Sequence, residues 1–495
     1  MTTEKFVHIA FVAILGIALF TLGFTADRLG VRDIVLGSFG FIGACLMLLR
    51  IEYSIVVLFT YLGFEGGAKL LSNYNPVVHV GADILIVALW MRIGVTALLN
   101  RRSLPEEYPP FIVLFSLHVV WFVVTIANPY ALSLIASLAA AKIYITIVSL
   151  YVFGYYLATS IGRIRLFMIP WIAIGAVQVV TSIYQSSIGP SSVTGISPIY
   201  ALQLEKYAGY AFRPFGTTSN PGAPNVFMYL CVPFVFYFLF HGRKYISKGF
   251  ILALIPGIAI TLFVCQVRSG MLKAIIGGGL FLLFTLKSLR HLSAQARRSV
   301  VAMLALAALG GIAAIPPLLN HMVSSYEDNE RAIERSLSLF DFDRVSKARE
   351  GALGRFLMYV DMAPFGAGLS RTGAAAGKFR YLIEQNRMFH IPFFADNTWV
   401  AIVVDLGLPG LFILAITVLG IVIRGARSLQ TMYDPALLAV QSAVFCTIIA
   451  ILFGTYGSET FLYNPEGAFF WFFCGVMMRV PQLERKPVGG LQHAT

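Results

Sequence analysis

Long apolar runs recur along almost the whole chain, and nothing else constrains its fold as much. Runs of about 17–25 residues match the length a helix needs to cross the hydrocarbon core of a bilayer. They occur at 6–24, 33–50, 53–71, 77–99, 111–127, 141–159, 164–188, 221–241, 249–267, 269–289, 299–319, 397–423, 436–456 and 466–480. They are continuous rather than ten-residue alternations, which points to helices and away from a barrel. The sequence therefore predicts an all-α polytopic membrane protein with about 14 transmembrane helices. Of its 495 residues 58% are hydrophobic and 12% charged, against roughly 25% charged in a soluble domain.

A formal net charge of +13 would suggest nucleic acid as the partner of a soluble protein. Here the basic residues fall in short connections on alternate sides of the spans: Arg101 and Arg102, Arg163 and Arg165, Arg243, Lys244 and Lys248, Lys287, Arg290, Arg297 and Arg298, Arg424 and Arg427, Arg485 and Lys486. By the positive-inside rule these are cytoplasmic, so no nucleic acid is implied, both termini are cytoplasmic and the number of spans is even. The first run follows Lys5, lacks a small-x-small cleavage pattern and reads as a retained span. The partition that follows is 1–319 for the first eleven spans, 320–395 for an extracytoplasmic loop, 396–480 for the last three spans and 481–495 for a cytoplasmic tail. A shorter outer excursion is expected at about 189–220.

Charge inside this apolar frame is the place to look for chemistry, since each charged group at membrane depth costs roughly 2.5–3.5 kcal/mol or more unless paired or hydrated. The stretch FADNTWVAIVVDLGLPGLFIL at 394–414 carries two carboxylates. Asp396 is placed either to cap the helix that follows or to take a proton from a hydroxyl at the outer membrane face. His390, six residues earlier, is a second candidate base, and His321 has a weaker claim. Asp405 lies nine residues beyond Asp396, about 900° of helix, on the opposite side. Its expected job is to fix helix packing by a polar contact. Glu65 and Lys69, four residues apart, are expected to neutralise each other, while Asp83, Arg92, Glu459 and Glu466 lie near span ends and receive no role.

Three arginines stand out. Arg268, in CQVRSGMLKA, lies between two apolar runs with almost no loop, so its guanidinium sits at the outer mouth of two spans, where it can meet an anion or snorkel to headgroups. Arg213, in YAFRPFGTTSNPGAPNVFMYL, precedes a loop of Pro, Gly, Thr and Asn that enters a span. Such a segment can turn backbone N–H groups toward an anion at a helix start. Arg355, in REGALGRFLMYVDMAPFGAGLS, falls on an amphipathic helix expected to end before Pro364. The Gly366-Ala367-Gly368 that follows reads as a turn, because no strand precedes it and GxGxxG is absent. Across 344–387 the residues Arg344, Lys347, Arg349, Arg355, Arg371, Lys378, Arg380 and Arg387 outweigh Glu350, Asp361 and Glu384, and an anion is the natural partner of such a patch.

The cysteines, Cys45, Cys231, Cys265, Cys446 and Cys474, stand singly in apolar segments without CxxC spacing and read as buried small hydrophobes. Asp341-Phe342-Asp343 has the spelling of an acidic metal motif but lies in a charged, helix-prone stretch. With neither a nucleotide cradle nor a firm metal site, a cytosolic sugar-nucleotide enzyme is disfavoured, and arginines can replace a metal in neutralising a phosphate leaving group.

Taken in order, RPFGTTSNPGAPNVFMYL, QVRSG at a tight turn, GRFLMYVDMAPFGAGLS in a long outer loop, and DNTWVAIVVDLGLPGLFIL opening the last three spans resemble the O-antigen ligase and Wzy-type polymerase superfamily over about residues 205–480. The resemblance implies a GT-C-like, metal-independent glycosyltransferase at the outer face of the bacterial inner membrane, without a cofactor and acting on glycans carried by undecaprenyl pyrophosphate. By motif, Arg213 and Arg268 match arginines that contact the donor pyrophosphate, and Arg355 matches the arginine of the loop helix. Asp396 stands where many ligases have a His before Asn. If the role is kept, Asp396 activates the acceptor hydroxyl and Asn397 helps to position it. A carboxylate with an ordinary pKa near 4 is a weak base at neutral pH, so burial or a neighbouring charge must raise it, or the role passes to His390.

These readings lead to the expectation of a polymerase of O-antigen or exopolysaccharide that joins one lipid-linked glycan to a hydroxyl of another. The rival within the superfamily is a ligase that moves the chain to lipid A-core. A rival of another class is a transporter or flippase of lipid-linked glycans. That rival is disfavoured by the absence of an internal repeat and by the gathering of candidate residues at the outer mouth. The expected partners are the undecaprenyl-pyrophosphate-linked oligosaccharide and the lipid bilayer, with a chain-length regulator and a flippase as candidate protein partners.

Overall fold

The computed structural model describes residues 51–71, 76–99, 107–194, 212–241, 245–288, 354, 356–372, 397–458 and 460–485. The spans expected at 6–24, 33–50 and 299–319, the candidates Arg355, His390 and Asp396, and most of the 320–395 loop lie outside the described residues. Within them all regular structure is helical: α1 Ile51–Leu71, α2 Pro76–Leu99, α3 Ile112–Ile126, α4 Leu134–Ala141, α5 Leu150–Leu157, α6 Ile161–Ile188, α7 Pro224–His241, α8 Lys248–Val264, α9 Arg268–Ser288, α10 Thr398–Thr431, α11 Pro435–Gly454 and α12 Glu466–Arg485. Six helices among the described residues are long and apolar enough to cross a membrane, counting α4 and α5 as one run, and α3 and α8 are shorter apolar helices. This is a multi-pass helical membrane protein.

Side-chain caps fix several of the helix starts. Ser160 opens α6 by accepting from Arg163 N at 3.3 Å, Ser247 opens α8 by accepting from Phe250 N, and Asp434 opens α11 with Pro435 at its first position, each supplying an acceptor to a donor that the helix leaves unpaired. A cap also explains one correction. The span expected at 141–159 starts earlier, at Leu134, because Ser133 Oγ accepts from Ala136 N at 3.1 Å. A π-helical turn at Lys142–Ile147 then joins α4 to α5. The span expected to end at 423 continues to Thr431.

The core centres on α12. Its Phe469, Trp471, Phe472 and Phe473 are fully buried. The three phenylalanines meet Phe59 of α1, Phe167 and Trp171 of α6 and Phe234 of α7 in tilted, stacked and edge-on contacts, and Trp471 meets Phe115 of α3 edge-on. Against α5 the approach is closer still. A Cβ at Gly154 would fall 1.9 Å from Phe472 O, and one at Gly475 would fall 2.0 Å from Tyr151 O. Small residues at a helix crossing are how packing holds helices together in lipid, where burial of apolar surface gives little drive. Around this centre α7 packs on α6, α8, α9 and α11, while α3 packs on α10.

The ends of the helices divide the molecule. Contacts between their termini place the starts of α7, α9, α10 and α12 and the ends of α8 and α11 at one end of the bundle. The residues Arg163, Arg165, Arg424, Arg427 and Arg479 belong to helix segments at the other.

Candidate functional site

The segment that follows Arg213 is held by two glutamines of α6. Gln185 Oε1 accepts from Phe215 N at 2.8 Å and Gly216 N at 2.7 Å, and its Nε2 donates to Gly216 O at 3.0 Å. About two turns earlier, Gln178 Oε1 accepts from Thr217 N at 2.9 Å while its Nε2 donates to Thr217 Oγ1. Thr217 is tied in turn to α1: its Oγ1 donates to Gly63 O at 2.8 Å, and Gly67 N donates to its carbonyl at 2.7 Å. Both glutamines are buried. An amide side chain carries a donor and an acceptor like the backbone, so it can take the place of a partner strand for an irregular loop. Without such partners a loop at membrane depth would leave its polar groups unsatisfied.

Arg268 begins α9, directly after the tight turn at 265–267, and is half-buried, as is Arg213. The two arginine-bearing segments touch at Gly222. A Cβ there would lie 2.9 Å from Cys265 O, 3.0 Å from Val267 Cγ2 and 3.4 Å from Arg213 Cδ. Next to it, a Cβ at Gly270 would fall 2.1 Å from Asn225 Oδ1, so the first turn of α9 rests on the first turn of α7. Arg213 and Arg268, 55 positions apart in sequence, thus share one shoulder of the bundle. Helix starts carry the positive end of the backbone dipole, and two of them stand under this shoulder.

Below Arg268 on the same helix lies a charge that the sequence reading passed over. Lys273 is 3% exposed. Its Nζ pairs with Glu466 Oε1 at 2.9 Å and sits 4.6 Å from the centre of the Tyr229 ring. Its stem runs over Gly454, where a Cβ would fall 1.8 Å from Lys273 Cε. Glu466, given no role from sequence, is therefore the buried partner of Lys273 at the start of α12. The signal was present in QVRSGMLKA: a lysine inside an apolar helix must find an opposite charge or reach water.

The chain then connects this shoulder to the start of α10. Thr455, just past the end of α11, accepts from Thr398 N at 3.0 Å through its carbonyl and from Trp399 Nε1 at 3.0 Å through its hydroxyl. Asn397 caps α10: its Oδ1 accepts from Trp399 N at 2.9 Å and Val400 N at 3.2 Å, and its Nδ2 donates to Tyr456 O at 3.2 Å. The capping role expected of Asp396 thus belongs to Asn397, whose extended backbone and short acceptor suit the position. Asp396 itself lies just outside the described residues.

Asp405 has the packing role expected of it. At Gly407 the backbone leaves the helix, with φ 68° and ψ −171°. The segment 363–372 fills the break. Ala367 N donates to Val404 O at 2.7 Å, Leu408 N donates to Pro364 O at 2.8 Å, and Trp121 Nε1 of α3 donates to Leu406 O at 2.8 Å. Gly366 and Gly407 both have positive φ and meet backbone to backbone, since a Cβ at Gly407 would fall 2.3 Å from Phe365 C. Asp405 Oδ1 accepts from Arg371 N at 3.1 Å and Thr372 N at 3.2 Å, and Oδ2 accepts from Tyr144 OH at 3.2 Å. The Arg371 side chain donates to Ala367 O and Tyr130 O. At 1% exposure Arg371 is a structural cation, a correction to its place in the exposed basic patch. The turn read at Gly366-Ala367-Gly368 is present, as is helix at 356–362 ending before Pro364. Glu65 and Lys69 pair at 2.6 Å.

The structure thus brings Arg213 and Arg268 together and places Asn397 at the same end of the bundle, linked to them through α9, Lys273 and the end of α11. Cys231, Cys265, Cys446 and Cys474 are free and buried. Residues 249–415, a region that runs from α8 through Arg268 and the 356–372 segment into α10, match the Wzy_C family model, O-Antigen ligase. This match supports the O-antigen ligase and Wzy superfamily and, with it, a ligase- or polymerase-type, glycosyltransferase-like function. Arg213 lies outside the matched region and reaches it across Gly222. No curated protein matches the chain.

Proposed function

With an O-antigen ligase domain at residues 249–415 as the premise, we propose that the protein is a Wzy-type polysaccharide polymerase of the bacterial inner membrane, with its site facing the periplasm. Its donor is a glycan on undecaprenyl pyrophosphate, and its acceptor is a hydroxyl of a second lipid-linked repeat unit. The bond between the anomeric carbon and the phosphate oxygen breaks, a bond from that carbon to the acceptor oxygen forms, and lipid pyrophosphate leaves. The observation that carries the reading is the meeting of the Arg213 and Arg268 segments at Gly222, above the starts of α7 and α9.

Negative charge grows on the pyrophosphate as the bond breaks, and two guanidiniums fixed there before reaction stabilise it without a metal. Asp396 takes the acceptor proton, immediately before the residue that caps α10, with His390 as the other candidate base. Asn397 holds that helix start in place, and Arg355 on the loop helix covers the donor. The short basic connections at the opposite helix ends support the orientation.

A second reading is favoured by the matched family's own description, O-Antigen ligase: transfer of the finished chain to lipid A-core. One assay separates the two. Purified protein in liposomes is given labelled undecaprenyl-pyrophosphate repeat units alone, and the products are separated by size. A ladder of longer lipid-linked glycans is expected. Absence of a ladder, with transfer once lipid A-core is added, overturns the polymerase in favour of the ligase; absence of both overturns the glycosyltransferase reading. Arg268→Ala is expected to lower the rate by about 10²–10³, the usual cost of removing one preorganised donor.

A further inference from the structure

The segment 356–365 has two unlike faces. Tyr359 and Ala363, with the partly buried Phe356 and Val360, pack on Val400, Val403 and Val404 of α10. Leu357, Met358, Met362 and Phe365 are 59%, 43%, 47% and 67% exposed. The helical ones, with exposed Asp361, fall in one arc of about 140° at 100° per residue. Exposed apolar side chains in such a cluster require a partner, and the level of this cluster along α10 identifies one.

Phe365 adjoins the break at Gly407. From there to Arg424, exposed on the same helix, is 17 residues, about 26 Å at 1.5 Å per residue, against a hydrocarbon core of about 30 Å. Between the two levels α10 shows lipid its exposed Phe412, Ile416, Leu419 and Ile423, a stripe of three- and four-residue spacing. With Arg424 and Arg427 at one boundary of the bilayer, Phe365 falls just inside the other. The turns of α10 that hold helix 356–362 then stand at headgroup level. A water-soluble partner could meet this face only above the headgroups. Asp361 within an otherwise apolar arc suits a helix lying in the interface rather than one crossing it.

We infer that residues 356–365 form an interfacial anchor whose partner is the acyl-chain and headgroup boundary of the leaflet on the side of the candidate site. A stretch that the sequence places in an aqueous loop is thereby held down on the membrane beside the break in α10. The inference is independent of the reaction proposed above and stands if that reaction fails.

The test uses Leu357→Cys and Met358→Cys in the full chain, each labelled with a polarity-sensitive fluorophore in liposomes. Phe412→Cys is the lipid reference, and Tyr433→Cys, at a position 91% exposed between α10 and α11, is the aqueous one. Labelled wild type gives the background from native cysteines, of which the four described are buried. The expected result is loss of fluorescence in lipids brominated near the headgroup, of the same size as at position 412, with little loss to aqueous iodide. Iodide quenching like that at position 433 without lipid quenching would overturn the anchor, and so would protection from both quenchers, which would mean that protein covers the face.

Discussion

Two regions at the same end of the bundle, the arginine shoulder and the break in α10, solve one problem in different ways. Each holds an irregular segment at the edge of a membrane domain, where every backbone polar group needs a partner. At the break the holding is done by charge: Asp405, 2% exposed, binds the backbone of Arg371 and Thr372, and Arg371 is buried beside it. At the shoulder it is done by neutral amides, Gln178 and Gln185, while Arg213 and Arg268 stay partly exposed. A carboxylate or guanidinium in an apolar sequence is therefore not by itself a mark of chemistry. What separates the two regions is which side chain holds the irregular backbone, a buried carboxylate at the break and buried amides at the shoulder.

The sharpest break of that comparison is Asp405→Ala. It removes the acceptor of two backbone N–H groups and leaves Arg371 buried beside no carboxylate, a change that costs about 3–5 kcal/mol when one partner of a buried charged pair is lost. A large fall in the melting temperature of the purified protein is expected. Arg268→Ala should do the reverse, costing less stability than Asp405→Ala because Arg268 is only half-buried, while the transfer rate collapses. Equal melting losses in the two variants would erase the distinction between a structural and a functional charge.

Legibility in the sequence follows the same division. Apolar runs placed the helices from α1 to α12 to within a few residues wherever the run was uninterrupted, because span length is set by bilayer thickness. Where a polar side chain decides the boundary the reading slipped, as at Ser133, which starts α4 seven residues before the expected span. Glu65 with Lys69 was legible because four residues is one helical turn, and Asp405 because its angle to Asp396 excluded a shared site. The partner of Lys273 was not: a lysine inside an apolar helix signals that it needs an opposite charge, but a pair 193 positions apart carries no local signal that the charge is Glu466. Nor were Gln178 and Gln185, which look like ordinary polar residues of a helix and acquire meaning only when the 215–217 backbone is seen against them.

Gln185→Ala is a smaller test on the other side of the comparison. It strips partners from Phe215 N, Gly216 N and Gly216 O. Since the shortened side chain leaves room for water to pair with them, each loss is the net worth of a hydrogen bond, about 0.5–1.5 kcal/mol. A modest melting loss is expected, smaller than that of Asp405→Ala, together with a raised donor concentration for half-maximal transfer, because the segment carrying Arg213 loses its fixed position. Gln185→Glu keeps both acceptor contacts but cannot donate to Gly216 O, and it adds a negative charge near Arg213. It should impair donor use more than its effect on melting would suggest. A purely structural loop would show the melting loss and no change in half-saturation.

The smallest effect concerns Asn397, to which both a cap and a substrate contact are assigned. Removing the cap by Asn397→Ala should cost about 0.5–2 kcal/mol and disturb the start of α10, which Thr455 also holds. The two roles part at the replacements. Serine and aspartate are as good as asparagine at this helix position, so each should restore the melting temperature. Neither reproduces an amide donor toward a sugar hydroxyl, because serine is too short and an ionised carboxylate only accepts. If Asn397→Ser and Asn397→Asp recover both stability and transfer, the residue serves the site only by fixing the helix behind Asp396. Recovery of stability with transfer still low assigns it a direct hydrogen bond to the acceptor, and it would then join the two arginines in the proposed site.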